Sequence, residues 1–485
     1  MKPIGDALTI LSKFRMIFFF VMSFSVFAAA QWSSDPMQNL ALADQVGADQ
    51  VQPKVKPLPN NGWYVSWFDS NPNSPPPVGY NVQLQRLNSG GYEQLPHDGV
   101  QVADLSNTST EDYGLDFDTK GNALLAFLDT REGSNQQVTA ARMSPEGKAL
   151  WGTLGVQLTD DSASNASPKI AGTSDGNIVV AWTSNSEVVL QKLSPAGHPL
   201  WGKGIHVAES GYDIFLADLH AADNGSVIVS WVREQGFGSD VYLEATKISA
   251  HGQGLWGNAP TVIYNGGSLQ FGEFPYFVSD GSGGAVFAWY SNSPTLQCFA
   301  QHIRADGSAA FPANGAVAST NSTRVRVSPS VSYNAATDET FLFWTEEDSQ
   351  QVYNGVYGQK FDGSGNLKWG QNGLVVVPLG SDQQIFVRNV EIGGGALVFW
   401  VDQQSYTAAT IQAARLGDSG KVLCPRFAVS AFAASKAGLS ADITPYHLAA
   451  VAFQDYRNGN SDIFIQNVNS NCTLGQKTEI RQTGR

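Results

Sequence analysis

The chain has 485 residues, of which only 15% are charged, 11% are aromatic and 49 are glycine. That balance suits a turn-rich all-β protein and is poor in helix formers. A net charge of −14 with few basic clusters argues against nucleic acid and anionic lipid as partners.

In chain order, Lys2, Lys13 and Arg15 precede the apolar run Met16–Phe27, and Ala28-Ala29-Ala30 follows it. This is the layout of a signal peptide over residues 1–30, with an apolar part too short to span a bilayer. The expectation is an exported chain, periplasmic or extracellular, with no membrane span. Residues 31–52 show no periodicity and read as a linker, and repeats are expected over residues 53–485.

The repeat is marked by an apolar run ending in an aromatic: Trp67, Phe127, Trp182, Trp231, Trp289, Trp344, Trp400 and Phe453, spaced 49 to 60 residues apart. Eight units of near-constant period indicate a repeat architecture. A short first strand often follows proline, as in Pro53-Lys54-Val55 and Pro168-Lys169-Ile170. The aromatic-ended run is the second strand. The third carries a Gln-basic-apolar triplet, as in Gln191-Lys192-Leu193. A Gly-x-x-x-Trp turn, Gly197 to Trp201 in that unit, leads to a short fourth strand such as Val156-Gln157-Leu158. Four antiparallel strands per unit predict an all-β propeller of eight four-stranded blades. The last blade would take its fourth strand from Lys477–Ile480; seven blades, with the termini sharing one, is the alternative.

The turn tryptophans, Trp151, Trp201, Trp256 and Trp369, are replaced by Phe311 and Cys424 in two units. That substitution favours packing between blades over stacking on a ligand. Cys424 and Cys472 each follow the third strand of the last two repeats and form the candidate disulfide, provided adjacent blades bring them within reach. Cys298 is then left over.

Asp129-Thr130-Arg131 and Asp455-Tyr456-Arg457 repeat an Asp-x-Arg element, read as turn chemistry. With the run Asp455–Phe464 and the Gln-basic-apolar and Gly-x-x-x-Trp-Gly phrases, the chain resembles propeller repeats of secreted bacterial proteins. The resemblance runs from about Pro53 to the end. It implies the fold and a place at the cell surface but assigns no activity.

No His-x-x-x-His, Cys-x-x-Cys or Asp-x-Asp-x-Asp-Gly pattern occurs, so neither a metal nor a cofactor is expected. First strands of propellers line the axial channel, which makes Asp116, Asp118, Asp218, His220, Arg388, Glu391, Asp442 and His447 the candidate binding residues. The Pro-stiffened insertion Asn71–Val78 is a candidate contact loop. The sequence alone favours a non-enzymatic module binding a protein or glycan at one rim. The alternative is a polysaccharide-active hydrolase or lyase using carboxylates of the channel.

Overall fold

The computed structural model describes residues 31–485 except 46, 71–78, 104–111, 131–134, 294 and 477–485. Residues 1–30, expected as a signal peptide, the Asn71–Val78 insertion, Arg131 and the strand expected at Lys477–Ile480 lie outside the described residues. The fold is a β-propeller of eight four-stranded antiparallel blades. Among the described residues the only helical element is one 3₁₀ turn, Asp223–Gly225, and no helix is long and apolar enough to cross a membrane.

Blade 3 is typical. Its strands Asn165–Gly172, Ile178–Ser184, Glu187–Leu193 and Ile205–Val207 pair in chain order from the axis outward. The second strand reads Ile-Val-Val-Ala-Trp because both of its faces meet neighbouring blades. Leu124 and Ala126 of blade 2 share one apolar cluster with Ile170, Val180 and Trp182 of blade 3. A single sheet buries little by itself, so blade-to-blade packing supplies the core.

The repeated phrase has a mechanical basis. Gln191 Nε2 donates to the Gly202 carbonyl (3.1 Å), while its Oε1 accepts from the Lys192 and Trp201 amides (3.0 and 3.1 Å). Gln301 and Gln359 repeat the arrangement, so each glutamine stitches the third strand to the turn that follows it. The turn tryptophan then reaches the next blade: Trp151 Nε1 donates to the Pro195 carbonyl and Trp369 Nε1 to that of Asp418, both at 3.0 Å. Glycine is required where that ring lands. A Cβ on Gly307, which has φ +85°, would sit 2.6 Å from Trp256.

Blade 8 corrects the expected linker at residues 31–52. Leu40–Ala43 from that segment is the outer strand of the blade, pairing with Asp462–Val468 through Leu40↔Ile465 and Ala41↔Phe464. Trp32, 3% exposed, anchors the segment by donating from Nε1 to the Ser89 carbonyl (2.9 Å). The two ends of the chain therefore share one blade while eight blades are kept. Cys424 and Cys472 are disulfide-bonded with Cα atoms 6.5 Å apart, and Cys298 is a buried free thiol.

Candidate active site in the axial channel

The inner strands surround an axial cavity of about 790 Å³ lined by residues from all eight blades. Six of these strands carry a β-bulge, just before Lys54, Lys169, Asp218, Ser330, Arg388 and Ser440. Bulges re-aim side chains, and here each precedes a residue that lines the cavity. Four of them hold a non-glycine residue at positive φ: Gln52, Ser167, Ser328 and Phe386. That conformation is strained for such residues and persists where surrounding structure enforces it.

Pairing with the second strands sorts the channel into two rows. The first contains Lys54 opposite Ser66, Lys169 opposite Ala181, Asp218 opposite Ser230 and Arg388 opposite Phe399. Two residues further on, the second contains Lys56, Asp116, His220 and Asp442. The two-residue period of a strand points both rows at the axis.

In the first row the Asp112 carboxylate bridges two lysines, Lys54 Nζ at 2.5 Å and Lys169 Nζ on its other oxygen. Burial acts against its charge, but the two ammonium groups outweigh it and hold Asp112 well below the usual carboxylate range. The side chain keeps 46% of its surface open to channel water, so these pairs are partly screened. Burial lowers the Lys54 ammonium despite Asp112, whereas Asp112 and Asp218 overcome burial and raise Lys169.

In the second row Lys56 pairs with Asp116 (3.0 Å), and Asp116 also accepts the Gly172 amide of blade 3 (2.9 Å). Gly172 has no room for a side chain there, since a Cβ would lie 2.2 Å from the Phe117 carbonyl oxygen. His220 Nε2 lies 3.0 Å from Asp218 Oδ2, and the Leu219 and Phe277 amides donate to the same carboxylate at 2.9 and 3.2 Å. Burial opposes ionisation of Asp218, but His220 and Lys169 keep it below the ordinary range. Asp442 goes the other way: burial raises it, against the pull of Lys56. One cavity thus holds a carboxyl biased toward its protonated form and another biased toward its charged form. Opposed shifts of this kind are what acid–base chemistry uses.

Of the residues expected from sequence, Asp218, His220 and Asp442 line this cavity, and Asp116 is joined to it through Lys56. Arg388 joins the first row; its Nη1 donates to the Val387 carbonyl (2.8 Å) and it makes no ion pair with a described residue. Glu391 also lines the cavity, and its Oε1 accepts the Gly394 amide (2.7 Å). Asp118 and His447 do not belong to the channel. Their inner strands end at Phe117 and Ile443, which places both in hairpin turns. Asp118 there takes the Lys120 and Asn122 amides and pairs with Arg142 at 2.6 Å. Sequence reasoning missed Lys54, Lys56, Asp112 and Lys169. The first and last of these stand in the Pro-Lys-apolar strand starts, where the proline drew notice and the lysine did not.

Among the described residues the one grouping able to hold a metal ion is Asp44, His97 and Asp98, away from the channel where blade 8 meets blade 1. These groups satisfy one another: His97 Nε2 lies 2.8 Å from Asp44 Oδ1 and Nδ1 lies 3.0 Å from Glu93 Oε1.

No family model matches the chain, and no curated protein does. Solved structures do match. An ulvan lyase, a polysaccharide lyase, is 10% identical with TM-score 0.45, over 91% of this chain and 96% of the other. An α-L-arabinanase of Penicillium chrysogenum is 10% identical with TM-score 0.40, over 88% and 97%. An α-L-arabinofuranosidase of Fusarium graminearum is 10% identical with TM-score 0.42, over 89% and 97%. The expectation of a non-enzymatic binding module stands against these matches, each of which is itself an enzyme that acts on a glycan. At such identity the likeness extends to fold alone, so any chemistry has to be argued from the channel.

Proposed function

We propose that the protein is an exported enzyme that cleaves a polysaccharide in its axial channel, with Asp442 as proton donor and Asp218 as the opposing carboxylate. The observation that carries this reading is the convergence of Asp218, His220 and Asp442 in one axial cavity, beside Lys54, Lys169 and Lys56 with its partner Asp116. Glycoside hydrolysis needs two carboxyl groups with different tasks, one to protonate the leaving oxygen and one to act as base or nucleophile. Asp442, whose carboxyl burial raises above the ordinary range, suits the first task. Asp218, fixed by two backbone amides and His220, suits the second. Lys56 and Lys169 would hold hydroxyl or acidic groups of the substrate. Export rests on the signal-peptide character of residues 1–30.

A lyase reading has one observation in its favour: the His220 imidazole, hydrogen-bonded to a carboxylate in the cavity, is placed to act as base in β-elimination. The experiment is incubation of the mature protein with a panel of neutral and acidic polysaccharides, following new reducing ends and the ultraviolet absorbance of an unsaturated sugar product. Asp442→Asn is expected to lower the rate by about 100-fold or more while binding persists. Reducing ends without new absorbance mean hydrolysis, and both together mean elimination. Cleavage undiminished in both Asp442→Asn and Asp218→Asn would remove the channel from the chemistry.

A further inference from the structure

A second pocket, about 330 Å³, lies between blades 7 and 8 and shares no lining residue with the channel. Tyr406, in the hairpin joining Gly395–Ser405 to Ala408–Leu416, is 75% exposed. Tyr456, directly after the strand Ala449–Asp455, is 37% exposed. The wall is continued by Thr407, Phe432 and the small residues Ala433, Ala434 and Ser435. Large aromatics gathered around one concavity, rather than scattered singly, mark a ligand surface.

The polar group in this pocket is Arg457. Its guanidinium lies 4.7 Å from the Phe432 ring centroid and 4.1 Å from that of Phe464. Its side chain is only 9% exposed. Nη2 makes all of its hydrogen bonds, to Asp455 Oδ2 (2.5 Å), Asn39 Oδ1 (3.1 Å) and Ser430 Oγ (3.4 Å). Nε is buried without a partner, and Nη1 has none among the described residues. Lys436 pairs with the same Asp455 carboxylate (2.6 Å), so two cations share that anion. The guanidinium is clamped in place before any ligand arrives, which lowers the ordering cost of binding.

We propose that this pocket binds one acidic sugar of a glycan chain, with its carboxylate or sulfate on Arg457 and its ring face against Tyr406 and Tyr456. A sugar presents the flat C–H face that tyrosine rings accept and the charged oxygens that a fixed guanidinium accepts. The small floor leaves depth for one ring, whereas a protein partner needs a far broader contact. The site does not depend on the channel chemistry.

The test is calorimetric titration of the full mature chain carrying Asp442→Asn, so that no substrate is consumed. The probes are a galacturonate tetrasaccharide, a chondroitin sulfate tetrasaccharide and xylotetraose as the neutral control. At least one acidic probe is expected to bind at least tenfold more tightly than xylotetraose. Tyr406→Ala, on an exposed hairpin, should weaken that binding at least tenfold, and Arg457→Gln should abolish the preference for the acidic probe. Adding Arg388→Ala in the channel should leave the binding that depends on Tyr406 and Arg457 in place. The proposal is overturned if neither acidic probe binds, if the Tyr406→Ala, Tyr456→Ala double variant binds as before, or if Arg388→Ala alone removes binding. The last result would leave the channel reading standing.

Discussion

The seam between blades 6 and 7 and the seam between blades 7 and 8 solve one problem with different chemistry. At the first, Trp369 donates from Nε1 to the Asp418 carbonyl in the next blade's turn, and Lys360 pairs with the Asp418 carboxylate (2.6 Å). At the second, Cys424 stands where the tryptophan should be and is bonded to Cys472 in the corresponding turn of blade 8. Arg415, in the place of Lys360, donates to the Ser470 carbonyl in that turn. A covalent bond thus replaces an indole at the last seam before the ring closes. The lesson is that a position in the repeat specifies a task, reaching the next blade, and leaves the residue type open.

The largest expected effect comes from breaking the aromatic seam. Trp369→Ala should cost about 3–5 kcal/mol, as for other buried aromatics, read as a shift in the denaturation midpoint. Opening the covalent seam with Cys424→Ser and Cys472→Ser should cost about 2–4 kcal/mol. Reducing agent should reproduce that loss in the native protein and add nothing to the double variant. If Trp369→Ala is the milder change, the two seams are not equivalent in load.

The seam between blades 8 and 1 adds a third solution and the smallest effect. Glu93 and Asp44, against the opposing influence of burial, raise the His97 imidazole to about 9. A raised histidine stabilises the fold fully below its unfolded value of about 6.5, and the contribution is lost as pH climbs toward 9. Melting temperature should therefore fall modestly across that window, and His97→Asn should flatten the slope. A slope unchanged by the substitution would assign the pH dependence to other groups.

The blades were legible in the sequence because their second strands are buried on both faces and repeat an aromatic at near-constant spacing. The Gly-x-x-x-Trp phrase was legible as packing because Phe311 and Cys424 replace the ring in two blades; that the glycine and the ring meet across adjacent blades came only with the fold. The channel was only half legible. Its residues differ from blade to blade, so no repeat announces them. Measuring each first strand from its own second-strand aromatic would have put Lys54, Lys169 and Asp218 in one row, whereas the tighter hairpin Ile392↔Gly395 shifts Arg388 by one residue from that count. Asp112 lies before the strand Gly114–Phe117 and outside that frame; only folding shows that it bridges two lysines. Leu40–Ala43 escaped notice because four residues are too few to display a period.

That short strand also bears on how the protein assembles. Ala41 must find Phe464 across most of the chain, a closure costing about 5 kcal/mol in chain entropy. Until it docks, the strand Asp462–Val468 presents an unsatisfied row of amides and carbonyls, the template along which sheets associate. The segment can complete its own blade or that of a neighbouring chain with the same contacts. Crowded refolding should therefore favour reciprocal exchange between two molecules, and dilution should favour the single ring.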